Sequence, residues 1–99
     1  DNPLSGNVID LCPVGALLDK DFLFAQRVWV LKSTPSIDGL TASGDNILLE
    51  HNDDEIYRIR PRENAAINRW WITDELRYGW HFIDDESRCL MPTISPIYI

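Results

Sequence analysis

Residues 46–61 read NILLEHNDDEIYRIRP, two strand-like segments joined by a polar turn. Asn46–Glu50 and Glu55–Arg60 are rich in residues that favour β-strands, and His51-Asn52-Asp53-Asp54 between them has the composition of a hairpin connection. Pro61 has no amide N–H to donate to a neighbouring strand, so we expect it to end the second strand.

A third strand-like segment, Ile37–Thr41, precedes this hairpin. Ala42-Ser43-Gly44-Asp45 forms a second hairpin-type connection, so the three segments predict a small antiparallel meander. In the last of them, Ile56 and Ile59 fall on different phases of the two-residue alternation. The sequence therefore leaves open which face of that strand is buried.

Short helices are predicted on both sides of the meander. Thr73 or Asp74 is suited to cap a helix over Glu75–Trp80, whose first turn is acidic as the helix dipole favours. Near the start of the chain, Ser5 or Asn7 is suited to cap a short helix that Pro13 ends or deflects. The fold class is therefore α+β, a small β-rich domain with short helices and an N-terminal helical or extended arm.

The other segments give weaker signals. Ala16–Phe24 fits both helical and extended templates. Val28–Leu31 is β-branched and aromatic, which favours an extended segment, and Thr34-Pro35 indicates a break after it. The tail beyond Glu86, with Pro92 and Pro96, is predicted to be extended. Trp29, Trp70 and Trp71 are interpreted as core or interface residues.

The composition indicates a folded, acidic domain. Of 99 residues, 44% are hydrophobic and four are Trp, which argues against disorder. Nine Lys and Arg against sixteen Asp and Glu give a formal net charge of −7, which disfavours nucleic acid and anionic membrane surfaces as partners. Charged residues interrupt every apolar stretch, so direct membrane insertion is not expected. The chain has neither an initial Met nor a signal sequence, and we expect it to be a piece of a longer protein.

Cys12 and Cys89 are the two cysteines of the chain. Cys12-Pro13 matches the way the last ligand of a ferredoxin-type iron–sulfur run reads, while a small buried thiol is an equally good interpretation from residue types alone. Gly15 lets the backbone adopt a positive φ or pass close to a cluster. Cys89 has acidic neighbours that disfavour a thiolate, so it is interpreted as an incidental thiol. A reducing compartment is expected, because two cysteines do not make a disulfide scaffold.

Other chemistries find little support in the sequence. Cys12, His51, His81 and Cys89 lack the paired close spacing of a Cys₂His₂ zinc site. No nucleophile elbow, His-containing triad, phosphate-binding glycine loop or HExxH run is present. The basic run Arg58–Arg62 is interpreted as solvated or ion-paired, with an acidic partner or a negatively charged cluster as the alternative.

Residues 6–17, GNVIDLCPVGAL, resemble the segment that closes the N-terminal iron–sulfur region of the large iron–sulfur subunit of respiratory complex I, the NADH:quinone oxidoreductase. The resemblance extends over residues 6–92, because further stretches follow in the family's order. These stretches are 27–34, 36–38, 44–47, 56–62, 67–68 and 71–78.

This resemblance implies a role for Cys12 as the fourth ligand of a [4Fe–4S] cluster, whose other three cysteines lie upstream and are absent here. Residues 1–32 are then the end of the ferredoxin-like iron–sulfur region. Residues 33–99 are the small β-rich domain that opens the molybdopterin-oxidoreductase-like part. Some relatives hold a further cluster there through four cysteines, but this chain lacks them, and Thr73 stands where one such ligand would fall.

The function implied is electron transfer from NADH and flavin toward quinone, with Cys12 as the one site residue and no catalytic residue. The fragment alone is expected to be non-catalytic and to hold no cofactor. The expected partners are other peripheral-arm subunits, on the cytoplasmic face of a bacterial inner membrane or the matrix side in mitochondria. The alternatives are a cofactor-free structural or interaction domain, or the electron-entry module of a related NAD-linked formate dehydrogenase or hydrogenase.

Overall fold

The computed structural model describes residues 2–13 and 15–92, and in these ranges the chain forms an α+β fold. Three antiparallel strands make one sheet in the order β1-β2-β3, which confirms the predicted fold class. The elements in chain order are α1 (Asn7–Leu11), a 3₁₀ helix (Val28–Val30), β1 (Lys32–Ile37), β2 (Asn46–Asn52), β3 (Glu55–Pro61), α2 (Asp74–Tyr78) and a second 3₁₀ helix (Gly79–Asp84).

The β2–β3 hairpin is confirmed, and its turn is tighter than the four residues predicted. Asp53 and Asp54 alone connect the strands, and both have positive φ, 50° and 64°. Two such residues in sequence are the signature of a type I′ turn, whose twist matches that of the flanking strands. Strand β3 ends at Pro61 as expected.

A bulge in this hairpin answers the question of which face of β3 is buried. Glu50 pairs with Arg58, but the next residue His51 pairs with Ile56, so Tyr57 is the extra residue of the bulge. The insertion shifts the alternation by one position. Ile56 and Ile59, which are out of phase in a regular strand, therefore both pack against the core.

The core lies between one face of the sheet and the residues of and around α2. Its buried members are Ile47, Ile59, Ile72, Leu76 and Trp80. Helix α2 is confirmed with Thr73 as its N-cap, since the Thr73 hydroxyl accepts the amide of Leu76 at 3.3 Å. The helix is shorter than predicted, and its last turns continue as the 3₁₀ helix Gly79–Asp84.

The first strand was predicted in the wrong place. The prediction was Ile37–Thr41, whereas β1 spans Lys32–Ile37. The Asp38 carboxylate accepts the amides of Leu40 at 2.7 Å and Thr41 at 3.0 Å, which folds these residues into a turn instead. Pro35 lies within β1 and does not break it, because β1 is an edge strand and needs hydrogen bonds on one side only.

One further prediction was wrong, and two interpretations can be narrowed. Val28–Val30 is a 3₁₀ helix and not an extended segment. Residues 16–24, whose pattern fits both helical and extended templates, form turns and bends. Of the tryptophans interpreted as core or interface residues, Trp29 is 77%, Trp70 56% and Trp71 39% exposed, which excludes a core position and leaves the interface interpretation untested. The tryptophan of the core is Trp80.

Two points concern the chain as a whole. In the tail, Pro92 ends the described residues, and Pro96 lies outside them, so the prediction of an extended tail is not tested there. Among residues 2–13 and 15–92, no helix has the length and apolar character needed to cross a membrane.

Candidate functional site

Cys12 directly follows α1 and is half-buried. Its φ of −81° and ψ of 112° are extended, as expected for a residue that precedes proline, and the helix ends at Leu11 for the same reason. The prediction that Pro13 stops this helix is confirmed. The predicted caps were wrong, because Gly6 occupies the N-cap position without a side-chain hydrogen bond.

Gly15 has the positive φ that its position after Cys12-Pro13 suggested, 72°. A Cβ atom at this position would meet no other atom within 4 Å. Glycine is therefore required here by the backbone conformation and not by crowding. Val14, between Pro13 and Gly15, lies outside the described residues.

The other candidate ligands are Cys89, His51 and His81. Cys89 is exposed, and no disulfide joins it to Cys12. His51 Nε2 lies 2.7 Å from the Thr34 hydroxyl, while His81 stacks on Trp80 and lies 2.9 Å from Asp21. Within the part of the chain that the structure describes, no three His, Cys, Asp or Glu side chains come together in a group able to hold a metal ion.

The donor set therefore does not fit a complete [4Fe–4S] cluster. Such a cluster takes four thiolates, and this chain has two cysteines in all, one of them exposed and beside acidic residues. Cys12 can therefore provide at most one of the four ligands of such a cluster.

Asn7, five residues before Cys12, is 4% exposed and joins α1 to the residue before Thr73. Its side-chain amide donates to the carbonyls of Leu4 at 3.0 Å and Ile72 at 2.8 Å. Its Oδ1 accepts the amide of Ile72 at 3.1 Å and Arg77 Nη2 at 3.0 Å. Both donors and both acceptor positions of this carboxamide are therefore used, which is what a buried amide requires.

Arg77 lies on α2 and is also 4% exposed. Its Nη2 donates to Asp10 Oδ2 at 2.8 Å as well as to Asn7. Arg77 Nε has no hydrogen-bond partner among the described residues. A buried guanidinium is tolerated only with a counter-ion, and Asp10 on α1 provides it.

The N-terminus of α2 contacts the arm through Asp74. The Asp74 amide donates to the Pro3 carbonyl at 2.7 Å. Its carboxylate accepts the Ser5 hydroxyl at 2.6 Å and the Gly6 amide at 2.7 Å. We refer to Gly6, Asn7, Asp10, Asp74 and Arg77 together as the arm anchor.

The charged face of the sheet continues from the arm anchor. Asp10 also lies 3.5 Å from Arg60, which is 3.8 Å from Glu50, and Glu50 accepts from Arg58 at 2.7 Å. The Arg58 guanidinium lies 4.3 Å from the centre of the Phe22 ring, a cation–π contact with the segment after Cys12. Arg58 and Arg60 of the basic run are therefore ion-paired within the chain, whereas Arg62 donates to the neutral Oδ1 of Asn46 at 2.8 Å.

Two carboxylates of the β1–β2 connection have shifted pKa values. Burial and the nearby Asp38 charge raise the pKa of Asp45 above 3.8. Burial alone would raise the pKa of Asp38 too, but hydrogen bonds from Thr41 and Leu40 outweigh it and lower that pKa. Neither residue belongs to the arm anchor, so these shifts bear on the stability of the connection and not on Cys12.

The sequence pattern pointed to Cys12 and Gly15 as candidates and gave no indication of the arm anchor. Asn7 and Arg77 are 70 residues apart in the chain, so no local spacing relates them. The available signal was a polar residue directly before the apolar pair Val8-Ile9, which sequence reasoning treated as a helix cap.

Comparison with known proteins identifies relatives of this chain. Residues 31–81 match the family model described as "NADH-ubiquinone oxidoreductase NDSU1/NuoG-like, 4Fe-4S domain". Over 77 residues, 78% of this chain, it is 52% identical to the NADH-ubiquinone oxidoreductase 75 kDa subunit of Acanthamoeba castellanii. It is 50% identical over 78 residues, 79% of the chain, to an NADH-quinone oxidoreductase subunit of the bacterium Rickettsia prowazekii.

A plant relative gives the same result: the chain is 52% identical over 75 residues to the mitochondrial NADH dehydrogenase [ubiquinone] iron-sulfur protein 1 of Solanum tuberosum. The alignments cover 76–79% of this chain but only 10–12% of these relatives. The matched residues 31–81 contain no cysteine. With a family model covering half of its length, the chain belongs to the NADH-ubiquinone oxidoreductase NDSU1/NuoG-like 4Fe-4S domain family.

Proposed function

We propose that this chain is part of the electron-transfer iron–sulfur subunit of NADH:quinone oxidoreductase. Cys12 contributes one thiolate to a [4Fe–4S] cluster, and the other three ligands come from outside these 99 residues. The observation that carries the proposal is the family membership of residues 31–81 together with a half-buried Cys12 presented between α1 and Pro13.

Residues 33–99 serve as protein scaffold in this proposal and hold no cluster of their own. The absence of cysteine from the matched residues supports it, because iron–sulfur clusters are held by thiolates. The chain's own contribution is to fix the Cys12 thiol, shield it from water on one side and surround it with paired charges. These residues carry out no hydride or proton chemistry.

The partners proposed are other subunits of the peripheral arm of the complex, without nucleic acid and without insertion of this chain into the membrane. The acidic net charge of −7 supports the exclusion of nucleic acid. We place the subunit on the cytoplasmic face of a bacterial inner membrane, or on the matrix side in a mitochondrion.

The test uses the full-length subunit, reconstituted with iron and sulfide and reduced, in three forms: wild type, Cys12→Ala and Cys89→Ala. We expect Cys12→Ala to remove or alter one [4Fe–4S] signal in the low-temperature EPR spectrum, because the cluster loses a ligand. The matched control Cys89→Ala should leave every signal unchanged. If Cys12→Ala leaves every [4Fe–4S] centre as in wild type, the ligand assignment is wrong, and stoichiometric iron in the 99-residue chain alone would overturn the scaffold role.

A further inference from the structure

We infer that the arm anchor holds α1 and Cys12 in place through protein contacts alone, so that the thiol is pre-positioned before any metal binds. Gly6, Asn7 and Arg77 are positioning residues in this scheme. The inference rests on the proposed function in one respect, namely that a fixed Cys12 thiol serves to bind a cluster. The anchoring of α1 is argued from the contacts described above.

The first argument is the number and burial of the contacts. Asn7 and Arg77 are each 4% exposed, and Asn7 reproduces the paired hydrogen bonds of a β-bridge with the backbone of Ile72. If α1 detached, the Arg77 guanidinium would lose both of its acceptors, Asn7 Oδ1 and Asp10 Oδ2. Detachment would therefore break two charge-assisted hydrogen bonds, and this loss opposes it.

The second argument is the fit of Gly6. Its φ of −62° and ψ of −21° are ordinary helical values, so no backbone constraint requires glycine there. A Cβ atom would nevertheless lie 2.6 Å from Asp74 Oδ1, 2.7 Å from Arg77 Nε and 2.8 Å from Arg77 Cδ. Glycine is required because the arm lies directly against α2, and the contact tolerates no added methyl group.

These contacts hold the segment that ends in Cys12. Gly6 is the N-cap of α1 and Cys12 its C-cap, so one helical turn connects the anchor to the thiol. On the other side of Cys12, Phe22 stacks under Arg58 and Asp21 pairs with His81. The chain is therefore attached to α2 before Cys12, and to β3 and the second 3₁₀ helix after it.

The experiment uses the metal-free 99-residue chain, with Gly6→Ala as the variant and Gly39→Ala as the matched control. A Cβ atom at Gly39 meets nothing within 4 Å, and its φ is not in the left-handed region. Two readouts are taken: hydrogen exchange of the amides of residues 6–9, and the alkylation rate of Cys12 relative to Cys89 in the same molecule.

We expect Gly6→Ala to raise exchange at residues 6–9 and the Cys12:Cys89 alkylation ratio by about tenfold, since overpacking a filled contact shifts local opening by at least that factor. Exchange in β2 and β3 should stay as in wild type, and Gly39→Ala should change neither readout. A purely structural effect would raise exchange in β2 and β3 as well.

The inference is overturned if Cys12 of the wild type alkylates as fast as the exposed Cys89, or if Gly6→Ala leaves the ratio unchanged. If Gly6→Ala unfolds the whole chain, Asp10→Asn decides, because it keeps the size of the side chain and removes only the negative charge that pairs with Arg77 and Arg60. In Asp10→Asn, a raised Cys12:Cys89 alkylation ratio with hydrogen exchange in β2 as in wild type supports the inference. An unchanged alkylation ratio overturns it. Because no cluster is present, these results are independent of the EPR test of Cys12 ligation.

Discussion

Thr73 and Gly15 were predictable because their roles depend on residues within three positions along the chain. A hydroxyl before an acidic first turn is a helix cap, and a glycine after Cys-Pro is suited to positive φ; both are found. Asn7 and Arg77 were not predictable in this way. Their roles depend on the packing of two segments 70 residues apart, which no short pattern encodes.

Asp45 gives a prediction at this scale because it is a buried carboxylate close to a second one, Asp38. Its pKa is raised by burial and by Asp38, so the folded state favours its neutral form. At neutral pH the ionised group therefore costs stability, and this cost disappears below the unfolded value of 3.8, where the carboxyl is protonated in both states.

We expect Asp45→Asn to raise the thermal midpoint at pH 7, with the gain shrinking as the pH falls toward 3.8. Thermal unfolding followed by circular dichroism between pH 3.5 and 7.5 measures it. Glu86→Gln, which removes one exposed negative charge, is the control and should give a small change at all these pH values. An Asp45→Asn gain that does not diminish with falling pH would contradict the assignment.

At the level of elements, the β2–β3 hairpin was predictable and β1 was not. The hairpin has strand-forming residues on both sides of a polar turn, so local preference and the final pairing agree. The segment predicted as the first strand, residues 37–41, has strand-like residues. The Asp38 carboxylate accepts the backbone amides of Leu40 and Thr41, however, and these hydrogen bonds form a turn. The bulge at Tyr57 was not predicted. Its one sign in the sequence was that Ile56 and Ile59 fall on opposite faces of a regular strand although both are apolar.

The two-residue turn predicts the effect of glycine at Asp54. Its φ of 64° is unfavourable for a residue with a Cβ atom and unhindered for glycine. We expect Asp54→Gly to stabilise the chain by about 0.5–1 kcal/mol, and Gly44→Ala, at φ 66° with open space around it, to destabilise it by about 1 kcal/mol. Urea unfolding measures both, and equal signs for the two changes would show that the turn conformation is wrong.

At the scale of the whole molecule, the sheet separates two kinds of interaction. One face packs Ile47 and Ile59 against Leu76 of α2 in the core, and the other carries Glu50 and Arg58 toward the N-terminal arm. Composition predicted a folded domain, but it did not reveal that the arm packs on the charged face. The core itself is small, with five buried apolar residues among those described.

Because the core is small, single truncations in it should have large effects. Leu76 is 1% exposed, and we expect Leu76→Ala to lower the free energy of unfolding by about 2–5 kcal/mol, a large part of the total for a domain of this size. Leu90, 84% exposed, is the control, and Leu90→Ala should change it by less than about 0.5 kcal/mol. Similar losses for both variants, measured by urea unfolding, would contradict the location of the core.

Strand β1 has a consequence for self-association. It forms one outer edge of the sheet, where an unpaired backbone can recruit a strand from another molecule and start a fibrillar assembly. Pro35 interrupts the donors of this edge and Lys32 places a charge at its beginning. Pro35, which was predicted to mark a break, therefore disfavours the addition of a strand from another molecule at this edge, and this protects the chain from aggregation.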